Sequence, residues 1–110
     1  MLEFEGRRTP KLDALVDSGA GYSTFPGEVA DALDIDYESY APNTIDSANG
    51  RLRVYLVPVV LHFQNWSFGA DVWFNPNPQF RTFLLGRRDV FHHFRIGFAS
   101  RERQLLLAAY

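Results

Sequence analysis

Asp17, Ser18, Gly19 and Ala20 follow directly on the apolar run Ala14-Leu15-Val16. A carboxylate at the end of a buried strand sits where desolvation and neighbouring groups tune its protonation, which is what acid–base work requires. The glycine after it lets the backbone turn tightly and come close to a ligand. The same residue types also make an ordinary Asx turn that closes a strand. Two more segments bear on the choice. Residues 83–91, Phe83-Leu84-Leu85-Gly86-Arg87-Arg88-Asp89-Val90-Phe91, read as a short buried strand stopped by Gly86 and followed by a helix start. Ser47-Ala48-Asn49-Gly50-Arg51 reads as a hairpin tip, because Asn and Gly both tolerate positive φ.

Other chemistries find little support. The chain has no cysteine, so disulfide scaffolds, thiolate zinc sites and thiol catalysis are excluded. His62, His92 and His93 read as surface or boundary residues and no metal is expected. Neighbouring histidines on a helix point about 100° apart, and no His-Glu-x-x-His pattern is present. Gly19-Ala20-Gly21 lacks the continuation of a nucleotide loop, and no cofactor is expected. Asn65-Trp66-Ser67 matches a glycosylation acceptor with nothing else pointing to secretion. Arg87-Arg88 reads as a salt-bridged structural pair, and Trp66, Trp73 and Phe74 as core or interface. Eleven Lys and Arg are scattered among thirteen Asp and Glu, for a net charge of −2, so no basic face for nucleic acid emerges. No apolar run approaches the ~20 residues of a membrane-spanning helix. Met1-Leu2-Glu3-Phe4-Glu5 is too acidic to open a secretory leader. The compartment stays open, with a soluble cytoplasmic protein the expectation.

The elements that must hold these residues are short strands. Leu2 and Phe4 alternate with Glu3 and Glu5, the period of a half-buried strand. Gly6-Arg7-Arg8 reads as a turn, and Lys11 to Val16 as a strand running into Asp17. Glu28 to Leu33 suits one short helix. Thr44 to Val57 forms a hairpin with Asn49-Gly50 at its tip, Pro58 interrupts it, and Val59 to Phe63 and Trp66 to Phe74 form the next pair. Arg88 to Phe94 fits a short helix, and Arg95 to Phe98 with Gln104 to Ala108 a last hairpin. With 110 residues, 46% of them hydrophobic and 15% aromatic, the chain is one domain, residues 1–110, of all-β class. The strands should close into a small barrel-like body with one or two short helices.

Ala14-Leu15-Val16-Asp17-Ser18-Gly19-Ala20 resembles the active-site signature of the retropepsin-like aspartic proteases, and Leu84-Leu85-Gly86 with its helix is similar to that family's second signature. Ser47-Ala48-Asn49-Gly50 is similar to the flap of the cellular members. The three occur in the family's order and cover nearly the whole chain. The resemblance implies a closed β protomer and a homodimeric peptidase acting on a peptide or protein substrate. Hydrolysis by carboxylates needs two of them sharing one proton, one acting as base and one as acid. A single motif in 110 residues leaves a twofold axis between two copies of Asp17 as the source of the second.

The resemblance implies roles position by position. Asp17 would activate water and, through its mate, protonate the leaving amine, Ser18 would bridge to the partner's backbone, and Gly19 would accept close approach. Ala20 and Gly21 would contact substrate, Ser47 to Arg51, including Ala48, Asn49 and Gly50, would close over it, and Leu84, Leu85 and Gly86 would pack behind the loop. Retroviral members commonly carry an acidic residue after this stretch, where this chain has Gly21-Tyr22. Sixteen residues precede Asp17, enough for one hairpin but not for an interlocking terminal strand, so the apolar end Leu105-Leu106-Leu107-Ala108 is the expected replacement in the dimer interface. The alternative is a dimerisation or peptide-binding module that keeps the fold without efficient proteolysis.

Overall fold

A computed structural model describes the backbone of residues 1–17, 19–47, 50–99 and 104–109, with side chains up to residue 94 apart from that of Ser47. The strands are β1 (Leu2–Phe4), β2 (Arg7–Arg8), β3 (Leu15–Val16), β4 (Thr24–Pro26), β5 (Pro42–Ser47), β6 (Gly50–Phe63), β7 (Trp66–Asn75), β8 (Leu84–Leu85), β9 (Phe94–Ala99) and β10 (Gln104–Ala109). Helical structure is brief: α1 (Gly27–Ala32), a 3₁₀ turn at Tyr37–Ser39 and a π-helical segment at Arg87–Phe91. The all-β class is therefore as expected.

The main sheet runs in the order β2-β1-β6-β7-β4-β8-β3, with β5 on the far half of β6, and β9–β10 form a separate two-stranded sheet. The expected closure is not found. The path ends in two strands of two residues each, β2 and β3, which are too short to meet across a barrel.

Alternation builds the core. Val57, Val59 and Leu61 of β6 face Val72 and Ala70 of β7 and point to one side, where Leu2, Phe25, Phe74 and Leu85 join them. α1 covers this side with Val29 and Ala30, and Val90 and Phe94 close it from the C-terminal segment. Burying each such aromatic or branched side chain stabilises the fold by about 1.5–3 kcal/mol.

Local departures have local causes. The first turn is Glu5-Gly6, at φ 49° and 80°, and Arg7-Arg8 belong to β2, opposite Phe4 and Glu3. Paired positive φ values are those of the tightest hairpin turn. Of Lys11 to Val16 only Leu15–Val16 pair as strand. The closing helix widens to a π-helical turn at Arg87–Phe91 and ends before Phe94 enters β9.

Pro58 does not break β6; it lies opposite Asp71 in an unbroken ladder with β7. The amide of Leu56 donates to Ala41 and that of His62 to Met1, so even-numbered amides of β6 point away from β7. Pro58 shares that direction and falls in the gap between the partners β5 and β1. A missing N–H costs nothing there.

Candidate active site

β3 is the last strand of the sheet and pairs in parallel with β8, Leu15 opposite Leu84 and Val16 opposite Leu85. The ladder continues one residue beyond β3: the Asp17 amide donates to the Leu85 carbonyl at 3.0 Å. Ala14 and Val16 pack on the core, so Leu15 and Asp17 face the other way. The Gly19 amide donates to Asp17 Oδ1 at 2.8 Å, and the Ala20 amide to the Asp17 carbonyl at 3.1 Å. The Asx turn is thus present, and it is also what orients the carboxylate. A Cβ at Gly19 would stand 3.2 Å from Oδ1, so the glycine leaves the carboxylate its room. Ser18 lies outside the described residues.

The rest of the loop is fastened to the second signature. Ala20 and Gly21 carbonyls accept the amides of Arg87 (2.9 Å) and Arg88 (3.0 Å). The Gly86 amide donates to Ser23 Oγ at 3.0 Å, and the Ser23 amide to Asp89 Oδ2 at 3.3 Å. Ser23 is fully buried and Asp89 is 4% exposed. Burial pushes the Asp89 carboxyl above its ordinary range, opposed by its bonds to Ser23. Gly86 is irreplaceable on steric grounds: a Cβ there would meet the Tyr22 carbonyl carbon at 2.5 Å.

Paired residues share a face, so the ladder sets a row on Asp17's side of the sheet: Leu15, Leu84, Thr24, Trp73 and Leu56, one from each of β3, β8, β4, β7 and β6. Leu15 is 59% exposed, the exposed large hydrophobic side chain among the described residues. At the row's far part the Tyr22 ring stacks on Trp73 at 4.6 Å. Arg88 lies 5.1 Å over the Tyr22 ring and donates to its hydroxyl at 3.0 Å. The buried Trp73 Nε1 has no hydrogen-bond partner among the described residues. An apolar cavity of about 80 Å³ lined by Leu12, Phe25, Leu61 and Phe68 belongs to the core side, away from Asp17.

A family model for aspartyl proteases matches residues 1–88, the stretch that carries both signatures. The chain belongs to the aspartyl protease family. Its retropepsin-like kind agrees with the sequence resemblance. Comparison with curated proteins gives no match.

The hairpin that resembles this family's flap is formed by β5 and the first part of β6, with a register that sets Ser47 opposite Gly50. Of the residues expected at its tip, Gly50 pairs within β6, while Ala48 and Asn49 lie outside the described residues. Gly50 takes φ 107°, a backbone that glycine adopts without strain. On its arms Asn43, Thr44, Asp46 and Arg53 are exposed, Val54 is buried, and Arg51 pairs with Asp46 at 3.4 Å. The hairpin and the Asp17 loop are linked through the sheet, at opposite ends of the row. Sequence reasoning passed over Ser23 and Asp89. The available signal was a carboxylate set directly before Val90 on an apolar helical face. Trp73, read as core or interface, stands on the outer face.

His62 is half-buried and partnered. Its Nε2 meets Glu3 Oε1 at 2.9 Å and its Nδ1 meets Ser67 Oγ at 2.7 Å. His92 and His93 are exposed.

Proposed function

We propose that this protein is an aspartic endopeptidase that works as a homodimer, with the two Asp17 carboxylates meeting across a twofold axis. The observation that carries the reading is the placement of Asp17: a carboxylate oriented by the Gly19 amide, on the terminal strand of the sheet, facing away from the protomer core. One protomer supplies one such group. The exposed Leu15 beside it leaves an apolar face for substrate or a second copy to cover.

In this reading one Asp17 takes a proton from water as the oxygen attacks the peptide carbonyl, and the other, protonated, hydrogen-bonds the carbonyl oxygen as charge develops. The proton taken from water then goes to the leaving nitrogen as the C–N bond breaks. Ser18 ties each loop to the partner's backbone, and Ala20 and Gly21 contact substrate. Ser47 to Arg51 cover the bound peptide and exclude water. The row from Leu15 to Leu56 crosses five strands, roughly 19 Å at the usual strand spacing, room for apolar side chains of an extended peptide. The whole of residues 1–110 acts as one domain, with the β9–β10 hairpin beyond the family match contributing to the dimer.

The deciding experiment is peptide cleavage at acid pH by wild type and by Asp17→Asn. Cleavage lost in the variant, with folding and dimerisation intact, supports the reading. A wild type that dimerises and binds peptide without cutting it supports the binding module instead.

A further inference from the structure

We infer that Asp89 is a positioning residue for the Asp17 loop, acting through Ser23. The inference rests on the peptidase reading above for its kinetic consequences, while its structural content stands without it.

Asp89 touches neither Asp17 nor the outer-face row. It sits on the π-helical segment, 4% exposed, with Oδ2 accepting the Ser23 amide at 3.3 Å. The Ser23 hydroxyl oxygen in turn accepts the Gly86 amide at 3.0 Å. Gly86 directly follows Leu85, whose carbonyl receives the Asp17 amide. One buried carboxyl thereby joins the outgoing arm of the catalytic loop, at Ser23, to the turn that carries its incoming arm, at Leu85-Gly86. The flanking bonds, Arg87 to Ala20 and Arg88 to Gly21, are backbone bonds made alongside this junction. Removing Asp89 leaves a fully buried serine without an acceptor for its amide, and the penalty falls on the loop that aims Asp17.

A charged carboxylate is not needed for this. Burial, and to a lesser degree Asp71 on β7, push Asp89 towards its neutral form, while its bonding to Ser23 and the charge of Arg88 pull the other way; Asp71, Arg88 and His93 line the open depression of about 300 Å³ that Asp89 borders. A neutral acceptor of the same shape therefore suffices, and Asp89→Asn is the conservative replacement that preserves the junction.

The test compares Asp89→Ala and Asp89→Asn with wild type by amide hydrogen exchange in the full chain without substrate, and by peptide kinetics. In Asp89→Ala, exchange at Gly86 accelerates about tenfold although its own acceptor is untouched, and kcat falls about a hundredfold with KM nearly constant, the size expected for misplaced reacting groups. The two limbs of its pH profile move towards each other as the paired carboxyls separate. Asp89→Asn keeps wild-type exchange, kcat and limbs. If Asp89→Ala does not fold, Asp89→Leu, which fills the space and still withdraws the acceptor of the Ser23 amide, carries the same comparison. Unchanged Gly86 exchange in the folded variant overturns the inference, as does an Asn variant as impaired as that one. Altered exchange in a wild type that cuts no peptide sinks the peptidase reading and leaves the junction standing.

Discussion

Gly86 lies against the Tyr22 carbonyl so closely that any Cβ on it would stand 2.5 Å from the carbonyl carbon and 2.8 Å from the Ser23 nitrogen. Both neighbours are backbone, held by the bonds that fasten the Asp17 loop, and neither can rotate away. Gly86→Ala should cost about 3 kcal/mol or more, at the upper end of overpacking penalties. Urea unfolding with an unchanged m-value checks it. A loss below about 1 kcal/mol would mean that the loop and the β8 turn are not locked together.

Activity should follow a bell-shaped pH profile on the acid side of neutrality. Two carboxyls sharing a site cannot both ionise easily, so the pair titrates in two separated steps. Asp17→Asn removes the bell together with the cleavage, and a chelator changes neither. A flat profile from about pH 4 to 9 would contradict the paired-carboxyl mechanism.

Tyr22→Ala takes away the ring stacked on Trp73 and the hydroxyl bonded by Arg88, opening the far part of the outer-face row. The variant should accept bulkier side chains two or more residues from the cut bond, read as a changed ranking of kcat/KM across a peptide library. Stability should fall by about 1 kcal/mol, the scale of one aromatic pair. An identical ranking would place the substrate elsewhere.

Stability should respond to acid through two carboxyls of opposite sign. The hydrogen bond from His62 holds Glu3 below its ordinary 4.5, aided by Arg8 against burial. Its contribution is present above that value and is lost as the pH falls through the lowered one. Glu3→Gln should therefore flatten the acid fall of the melting temperature. Asp89 is raised above its ordinary 3.8, so its contribution is present below that value and is lost as the pH rises through the raised one. Asp89→Asn should gain on wild type as the pH rises above the ordinary carboxyl value. Melting curves against pH check both signs.

Deleting the chain from Gln104 onward removes β10, the partner that covers one edge of β9. If this hairpin carries the dimer, the truncated protein sediments as a folded monomer at micromolar concentration and does not cleave. A truncated dimer with full activity would assign the interface to the catalytic loops alone.

Much of this was legible because local chemistry and tertiary role coincide. Asp17-Ser18-Gly19 is turn chemistry at the end of an apolar run, and Leu84-Leu85-Gly86 is an apolar run stopped by glycine; the parallel pairing of β3 with β8 brings the two together. The alternation of Leu2 and Phe4 with Glu3 and Glu5 marked the face of β1 that joins the core. What escaped depended on partners distant in sequence. Nothing near Asp89 announces that Ser23 needs it, and nothing near His62 announces Glu3. Trp73 is apolar and sits among core residues in sequence, yet strand parity turns it outward. Closure failed as an expectation because composition fixes a β class but not the length of the terminal strands.

Pro58 has one more consequence, which concerns the unfolded chain. Its ring fixes φ before folding begins, so this point of the longest strand has less conformational entropy to lose. Placed in the gap between β5 and β1, it obtains that advantage without giving up a ladder bond. Pro58→Ala should lower stability by about 0.4–1 kcal/mol while leaving every native contact to β7 in place. The substitution would also put a free donor into an uncovered stretch of sheet edge, where a strand from another molecule could dock. The proline thus guards against aggregation at the one place along β6 where neither neighbour does.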